Sequence, residues 1–372
     1  MELLNIDCLG KRLRLEGSLA GWQQLFWGNH LVSERPASAD NEGVHAHIFQ
    51  VRLVPEATTA QVEIPQAQEL TIALETNLQW QPFAIAYRLL INNEVVNAGS
   101  RNTRDIEQQV PEIKQGATRK VSLIGFASLG FKLLKSAKLL KVILAAGSLA
   151  AYSWLFSFKF AVALLLCLII HEYGHIRAMK YFGMKTKGIY LIPFVGGLAL
   201  TEDKINTRWQ DVVISIMGPC FGLLLSFGLL IAYLLTDNML FAGLANFNAL
   251  LNLINLLPIM PLDGGHILKS ICFSANNRLA LVLLTLGSAL GILACYFLHL
   301  TFLAFFLFLG CIEIAAEWRL RHQSALLPLD RYGQIFSGIW YLLVIVGFVG
   351  IMWYFASSGD ELLSTPMKIL QS

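Results

Sequence analysis

Residues 160–175 read FAVALLLCLIIHEYGH. Residues 160–170 are all apolar, as in a helix that crosses a membrane, and the run ends in His171, Glu172 and His175. On a helix, His171 and His175 lie one turn apart on one face, where their ring nitrogens can hold a single zinc ion. The stretch therefore predicts a membrane helix that carries a candidate zinc site.

Glu172 lies between the two histidines and has a different predicted role. It is not a ligand in this hypothesis, but it is placed to take a proton from an attacking water molecule. A simpler interpretation treats the three side chains as a polar cluster that caps the span at the membrane interface. Three ionisable groups at the end of a span are costly and need partners, which favours the metal site.

The composition indicates two regions in two solvents. The chain has 372 residues, of which 55% are hydrophobic and 14% charged, with a mean hydropathy of +0.57. Soluble domains are about 45–50% apolar and about 25% charged. Nearly all the excess of apolar residues lies beyond Leu139, while residues 1–120 have the composition of a soluble chain. The net charge of +3 is too small to indicate a nucleic-acid partner.

The N-terminal region has the pattern of short, half-buried strands. Alternating runs, broken by Gly, Asn and Pro, occur at 11–15, 44–53, 70–75 and 83–90. Residues 26–33 and 90–97 share a pattern in which Gly-Asn or Asn-Asn separates two apolar runs, the chemistry of a tight hairpin turn. We expect a small β-sandwich or barrel built from two related halves.

Cysteine usage and the N-terminus add two weaker expectations. Five of the six cysteines fall in or beside apolar segments, and only Cys8 lies in the polar N-terminal region, so no disulfide framework is expected there. This fits a reducing compartment. The opening residues contain no long apolar stretch, so we expect no signal peptide.

Apolar runs after the lysine-rich residues 132–141 predict a polytopic α-helical membrane protein with six to eight transmembrane helices. The region before them is predicted to be an N-terminal all-β cytoplasmic domain. The predicted spans lie near 142–157, 159–180, 211–235, 239–257, 279–298, 301–318 and 336–355. The expected organisation is a β-rich domain (1–116), a polar and basic linker (117–141), a membrane core (142–275), additional helices (276–355) and a polar tail (356–372).

Lysine and arginine placement predicts the orientation of these spans, because such residues accumulate on the cytoplasmic side. Four lysines precede the first span and four basic residues follow the second, whereas residues 236–238 between the third and fourth carry no positive charge. Both the N-terminal domain and the end of the span at His175 are therefore expected to face the cytoplasm. The lysines at 132–141 are explained equally well by attraction to anionic lipids or as a basic stop before the span.

A zinc site with two histidines requires a third protein ligand. The best candidate is Asp263, in the stretch NLLPIMPLDGGH at residues 255–266. Two prolines there break a helix, and two glycines allow a close approach of the backbone. Alternatively, Asp263 caps the following helix, and His266 is a competing ligand.

These motifs together resemble the site-2 protease family of intramembrane zinc metalloproteases. The resemblance rests on the HEYGH stretch in a span, on Asn255 and Pro258 before Leu262-Asp263-Gly264, on Gly218-Pro219 and on residues 193–197, and it covers about residues 140–275. Met260 departs from it, since the family carries proline there. The resemblance implies that His171, His175 and Asp263 bind Zn²⁺, that Glu172 activates water, and that Asn255 helps to hold the substrate.

The segment 188–200 is apolar but interrupted by Pro193, Gly196 and Gly197, so it is too short to cross the bilayer. In the family, such a segment forms a re-entrant sheet that pairs with an extended substrate. Strand addition suits a protease whose helical substrate must unwind before cleavage. A plain interfacial loop is the alternative, because the spacing does not require a strand.

The leading functional hypothesis is therefore hydrolysis of peptide bonds in or near the transmembrane segments of membrane-anchored proteins, in regulated proteolysis. A metal-ion transporter is one alternative, although residues 164–170 offer no further polar groups along an ion path. A catalytically silent scaffold is another, and the intact Glu172 argues against it. Residues 1–120 contain no catalytic constellation, so we expect a binding or regulatory role with a regulatory partner. His45 and His47 lie on the same face of one predicted strand. Two ligands do not make a metal site, so we prefer the interpretation that they belong to a surface strand.

Overall fold

A computed structural model describes residues 1–18, 21–38, 42–53, 68–109, 138–155, 157–192, 196–201, 203–275, 282, 285–293, 308, 310–312 and 326–357. The chain divides into two compact units. The first, here called the β unit, comprises Met1–Gln109 and Glu317–Arg331. The second, here called the helical unit, comprises Val110–Ala316 and Tyr332–Ser372.

The β unit contains two antiparallel sheets of four strands, each with its strands in chain order. The first sheet is formed by β1 (Glu2–Cys8), β2 (Lys11–Gly17), β3 (Gln23–Trp27) and β4 (His30–Arg35). The second is formed by β5 (Gly43–Leu53), β6 (Gln68–Trp80), β7 (Phe83–Ile91) and β8 (Glu94–Asn102). The prediction of an all-β region with two related halves agrees with this arrangement.

The hairpin turns lie where the repeated pattern predicts them. Gly28 has a φ of 59° between β3 and β4, and Asn92 and Asn93 have φ of 50° and 67° between β7 and β8. In the β7–β8 turn, two successive residues with positive φ match the twist of the flanking strands, and asparagine tolerates this conformation better than most residues. The two predicted hairpins are therefore confirmed.

The apolar faces of both sheets form a single core. Leu13, Leu15 and Leu25 of the first sheet and Ile72 and Leu74 of the second are fully buried in one cluster. Alternate residues of each strand point into this cluster, as period-two patterning requires. The β unit thus has the two-layer construction of a sandwich.

The end of the β unit differs from the prediction in one respect. Strand β8 ends at Asn102, within the region predicted to be β-rich. A short helix, α1 (Thr103–Glu107), follows it within the region predicted to be all-β. The Asn102 side chain accepts from the backbone N–H of Asp105, while the Asp105 carboxylate accepts from the N–H of Asn102, a reciprocal cap that starts the helix.

Six helices of the helical unit have both ends within the described residues, together with one β-hairpin. The helices are α2 (Lys138–Leu155), α3 (Phe158–Tyr181), α4 (Arg208–Thr236), α5 (Met239–Asn255), α6 (Asp263–Ala275) and α7 (Arg331–Ser357). Strands β9 (Thr186–Ile192) and β10 (Gly196–Thr201) form an antiparallel pair between α3 and α4. Three of the helices, α3, α4 and α7, are long and apolar enough to cross a membrane, judged over the described residues.

The predicted spans agree in part with these helices. Those near 159–180, 211–235 and 336–355 match α3, α4 and α7. The span near 239–257 corresponds to α5, a shorter apolar helix, and the span near 142–157 corresponds to α2, which begins inside the predicted linker. Half of the span near 279–298, most of the span near 301–318 and most of the linker lie outside the described residues, so the count of six to eight spans stays a prediction.

Close packing of α3 against α4 depends on glycine. A methyl group at position 174 in α3 would overlap the carbonyl oxygen of Met217 in α4. Without side chains between them, the two backbones approach closely, as small residues allow in membrane helices. The face of α3 that carries His171 and His175 is thereby held against α4.

His47 links the two sheets of the β unit. It is only 3% exposed, so the preferred interpretation as a surface-strand residue is wrong for this histidine. Its Nδ1 lies 2.9 Å from Ser33 Oγ and its Nε2 lies 2.9 Å from Gln23 Oε1, both on the first sheet. Both ring nitrogens are engaged in hydrogen bonds, so the alternative of a metal pair with His45 is not favoured either.

We predict that the β unit loses stability in mild acid because of His47. Burial, followed by the charges of Arg35 and His45, lowers the pKa of His47 from 6.5 to about 4. Between these values the unfolded chain binds the proton and the folded chain does not, so the free energy of unfolding is highest above about pH 6.5 and falls towards pH 4. Hydrogen exchange of residues 42–53 in the full chain, corrected for intrinsic rates, should show this loss of protection.

His47→Gln should weaken the pH dependence, because glutamine does not titrate. The matched control is His30→Gln, at an exposed position of β4, which should keep the wild-type dependence. An unchanged pH dependence in His47→Gln would contradict the assignment.

Candidate metal centre

His171 and His175 face each other on the buried side of α3. They are 3% and 7% exposed, and their Nε2 atoms lie 3.1 Å apart. The i, i+4 spacing predicts this proximity, because one helical turn brings the two side chains to the same face. Both histidines thus present the same ring nitrogen to one point.

Asp263 supplies a carboxylate to the same point. Its Oδ2 lies 3.3 Å from His171 Nε2 and 3.5 Å from His175 Nε2. In a tetrahedral zinc site with bonds of about 2.0–2.1 Å, the donor atoms are roughly 3.3–3.4 Å apart. The two nitrogens and the oxygen therefore have the separations of three corners of such a site, and their chemistry fits zinc.

The chain break before Asp263 delivers this carboxylate. Helix α5 ends at Asn255, and α6 begins at Asp263 itself. Gly264 and Gly265 pack on the intervening turn: a methyl group at 264 would overlap the carbonyl of Leu256, and one at 265 would lie 2.5 Å from the Ile259 oxygen. The expectation that these glycines allow close backbone approach is confirmed. Asp263 lies in the first turn of α6 and its carboxylate reaches the histidines, whereas capping of α6 by its side chain stays a prediction.

Glu172 is buried next to the histidines and beneath β10. It is 5% exposed, and a carboxylate oxygen lies within 4.8 Å of one ring nitrogen of each histidine. A methyl group at Gly197 would overlap the Glu172 side chain, so this carboxylate packs directly against the backbone of β10. Glu172 thus lies against Gly197 of β10, separate from the Asp263 contacts.

Each histidine has an acceptor behind it that orients the ring. His175 Nδ1 lies 2.7 Å from the carbonyl oxygen of Ile214, and His171 Nδ1 lies 2.7 Å from Asn252 Oδ1. A carbonyl oxygen only accepts, so Nδ1–H is the donor in His175 and the lone pair of Nε2 faces the centre. Sequence reasoning missed both acceptors. The only available signal for Asn252 was an amide inside an apolar helix.

Two other predicted residues lie elsewhere. Asn255 is the last residue of α5 and is half-buried, and its contact with a substrate stays a prediction. His266, the competing ligand, has its Nδ1 3.6 Å from Asp211 Oδ1. Asp211 also accepts a 2.6 Å hydrogen bond from Ser270 Oγ, so this second buried cluster joins α4 to α6. The geometry therefore favours Asp263 over His266 at the candidate centre.

Gly218 of α4 lies directly against both histidine rings of the centre. A methyl group there would overlap the His175 ring and would lie 2.9 Å from His171 Nε2. The helix continues through Pro219, whose missing N–H is compatible with this tight backbone contact. Only glycine leaves room for the two rings.

Fold and site together define an integral membrane protein with a candidate metallohydrolase centre. Comparison with known proteins then shows which family this region resembles. The model of peptidase family M50 matches residues 159–238 and 234–298, which include the histidines, Glu172 and Asp263. This part of the chain is similar to that family, and the predicted resemblance to site-2 proteases is confirmed.

Relatives from three organisms support the similarity to this family. The chain is 34% identical over 149 residues to a Synechocystis protein named as a candidate zinc metalloprotease, covering 38% of this chain and 39% of the relative. It is 29% identical over 187 residues to stage IV sporulation protein FB of Bacillus subtilis, covering 47% and 64%. It is 35% identical over 115 residues to a zinc metalloprotease of Methanocaldococcus jannaschii, covering 30% and 33%. The matches span less than two thirds of each relative's length.

We predict that Gly218→Ala disrupts zinc binding. The added methyl group must displace the rings of His171 and His175, and changes that misorient such ligands cost on the order of 10–100-fold in affinity. The measurement is zinc content after competition with a chelator, on the purified full chain in detergent. Gly228→Ala on the same helix is the matched control, because nothing lies within 4 Å of its methyl group. Equal zinc retention by the two variants would contradict the predicted geometry.

Proposed function

We propose that the chain is an intramembrane zinc metalloprotease that hydrolyses peptide bonds in or near transmembrane segments of membrane-anchored proteins. The single observation that supports this most directly is the convergence of His171, His175 and Asp263 beside a buried Glu172. The residue set matches a catalytic zinc site, which has three protein ligands and one open position. The names of the relatives support the same chemistry.

In the proposed mechanism, His171, His175 and Asp263 hold the zinc ion and Glu172 handles the proton. When bound, the zinc ion polarises the scissile carbonyl and makes water more acidic. Glu172 takes a proton from the attacking water and then returns it to the leaving amine. Its burial against β10 keeps bulk water from competing for that proton.

We also propose that β10 receives the substrate as an added strand. Strand β9 is covered by α2, since Lys141 Nζ donates a 2.7 Å hydrogen bond to the Lys187 oxygen and lies 4.8 Å from the centre of the Tyr190 ring. Within the described residues, β10 pairs only with β9, which leaves its other edge for an added strand, and its Gly197 packs on Glu172. An extended peptide there would satisfy its backbone groups while its amide lies next to the proposed base. Asn255 is proposed to help hold it.

The proposed orientation has the β unit and the site towards the cytoplasm, in a multi-pass protein. It rests on the basic residues at span ends, including Arg177 and Lys180 at the end of α3 nearest the site. The β unit would then meet cytoplasmic regulators, and membrane-anchored substrates would enter laterally from the bilayer. Regulated proteolysis is the role that these elements together support.

Transport of metal ions is the second candidate, and one observation favours it. Asn252, Asn248 and Ser226 continue the polar contacts from His171 between α4 and α5. Zinc flux into vesicles that contain the purified chain would support transport, and zinc-dependent cleavage without flux would exclude it.

We predict that Glu172→Gln retains zinc but loses cleavage, by about 10²–10⁴-fold, the usual contribution of a general base. The assay reconstitutes the purified full chain in vesicles with transmembrane peptides and identifies new termini by mass spectrometry. Glu94→Gln, at an exposed position of β8, is the control and should cleave normally. Wild-type cleavage by Glu172→Gln would overturn the proposed function.

We predict that a photo-cross-linking residue at Ala199 of β10 captures the peptide bound by Glu172→Gln. The same group at Gly188, on β9 and close to Lys141, should not, because that strand is covered. Cross-links of equal yield at both positions would refute strand addition at the β10 edge.

A further inference from the structure

Asn252 is a buried amide that the proposed chemistry does not use. It lies in α5, is 2% exposed, and contacts His171 through Oδ1. We infer that Asn252 is a positioning residue of the metal centre, which orients His171 so that Nε2 is its metal-binding nitrogen. The inference rests on the proposed function, because it concerns how this chain would hold zinc.

The direction of the Asn252 amide is set by its other contacts. Its Nδ2 donates to the backbone oxygen of Asn248 at 2.8 Å and to Asn248 Oδ1 at 3.1 Å. Both partners are acceptors, so the nitrogen of the Asn252 amide must face Asn248 and the oxygen must face His171. His171 Nδ1 therefore carries the hydrogen, and its Nε2 keeps a lone pair for the centre.

Further hydrogen bonds hold Asn248 in turn. Asn248 Nδ2 donates to Ser226 Oγ at 2.8 Å and to the Gly222 oxygen at 2.9 Å, and Ser226 Oγ donates to the Ala245 oxygen at 3.3 Å. Asn248 and Ser226 are 2% and 0% exposed. In an apolar surrounding, a reversed amide would leave donors and acceptors unpaired, which is costly. The series ends on a main-chain carbonyl, so every donor in it has one orientation.

Gly222 provides the space for this amide. A methyl group at position 222 in α4 would overlap Asn252 Oδ1 and lie 2.6 Å from Nδ2. The glycine is therefore needed because Asn252 fills the volume next to it. Two positions on two helices, one without a side chain and one with an amide, are complementary in shape.

The two histidines thus obtain the same orientation by different means. His175 uses the main-chain oxygen of Ile214, which no substitution removes, whereas His171 uses a side chain. Outer hydrogen-bond partners of metal-binding histidines typically contribute 10–100-fold to metal affinity. Removal of the Asn252 oxygen should reduce zinc affinity by that factor and let the His171 ring rotate.

The test measures zinc affinity by chelator competition and the visible spectrum of the Co²⁺-substituted full chain in detergent. Asn252→Leu should weaken zinc binding 10–100-fold and change the Co²⁺ bands, because a ligand is reoriented. Asn246→Leu, a buried amide in the same helix away from the histidines, is the matched control and should keep both properties. Gly222→Ala should act like Asn252→Leu, while Gly228→Ala should not.

A relocated amide provides the rescue. In the double variant Gly222→Asn with Asn252→Ala, the new side chain starts in the space that the Asn252 amide occupied, and recovery of zinc affinity would support positioning by the amide itself. If Asn252→Leu does not remain monodisperse in detergent, Gly222→Ala decides the question.

Wild-type affinity and an unchanged Co²⁺ spectrum in both Asn252→Leu and Gly222→Ala would overturn the inference. Equal loss in Asn246→Leu would also overturn it, since the effect would then be general. If the wild-type chain binds zinc and the variants give either of these results, the inference fails but the proposed function stands. Absence of zinc binding by the wild type would instead remove the proposed function, and the inference with it.

Discussion

Polar groups inside an apolar helix must find their hydrogen-bond partners within the protein, because no water or lipid group replaces them at low cost. His171, Glu172 and His175 are all less than 10% exposed, in the helix Phe158–Tyr181. The two histidines have hydrogen-bond partners from other elements, Asn252 in α5 and the Ile214 oxygen in α4, and Glu172 packs against Gly197 of β10. The arrangement of the surrounding elements follows from this requirement.

Close approach of backbones is the means by which these partners arrive. Gly174 admits α4 to α3, Gly218 leaves room for the two imidazole rings, and Gly222 leaves room for the Asn252 amide. Gly264 and Gly265 let the turn before Asp263 fold onto itself. These contacts bring main-chain atoms or short side chains to the site, so the loss of conformational freedom on ordering long side chains is small.

In the β unit, a buried polar side chain likewise finds its hydrogen-bond partners within the protein. His47 is buried between two sheets and uses both ring nitrogens on Ser33 and Gln23, which keeps it neutral and structural. The histidines of α3 instead keep one nitrogen each for a common centre. Whether a buried histidine is structural or available to a metal is therefore decided by how many of its nitrogens other residues occupy.

The sequence by itself determined the features that depend on local periodicity. The 3.6-residue helical period placed His171 and His175 on one face, the apolar runs predicted α3, α4 and α7, and the turn residues predicted two hairpins. It also singled out Asp263, because two prolines and two glycines around it signal a broken helix. The strand pattern was less informative at its end, where the short helix after β8 depends on a cap formed by Asn102 and Asp105.

Only the tertiary structure decided which distant side chains meet. Asn252 and Asn255 are equally polar and one turn apart, yet packing of α5 against α3 brings Asn252 to His171. His266 and Asp263 are likewise one turn apart, and the rotation of α6 directs the first to Asp211 and the second to the histidines. The physical reason is that periodicity defines which residues share a face of one helix, whereas the rotation and spacing of neighbouring helices define what that face contacts.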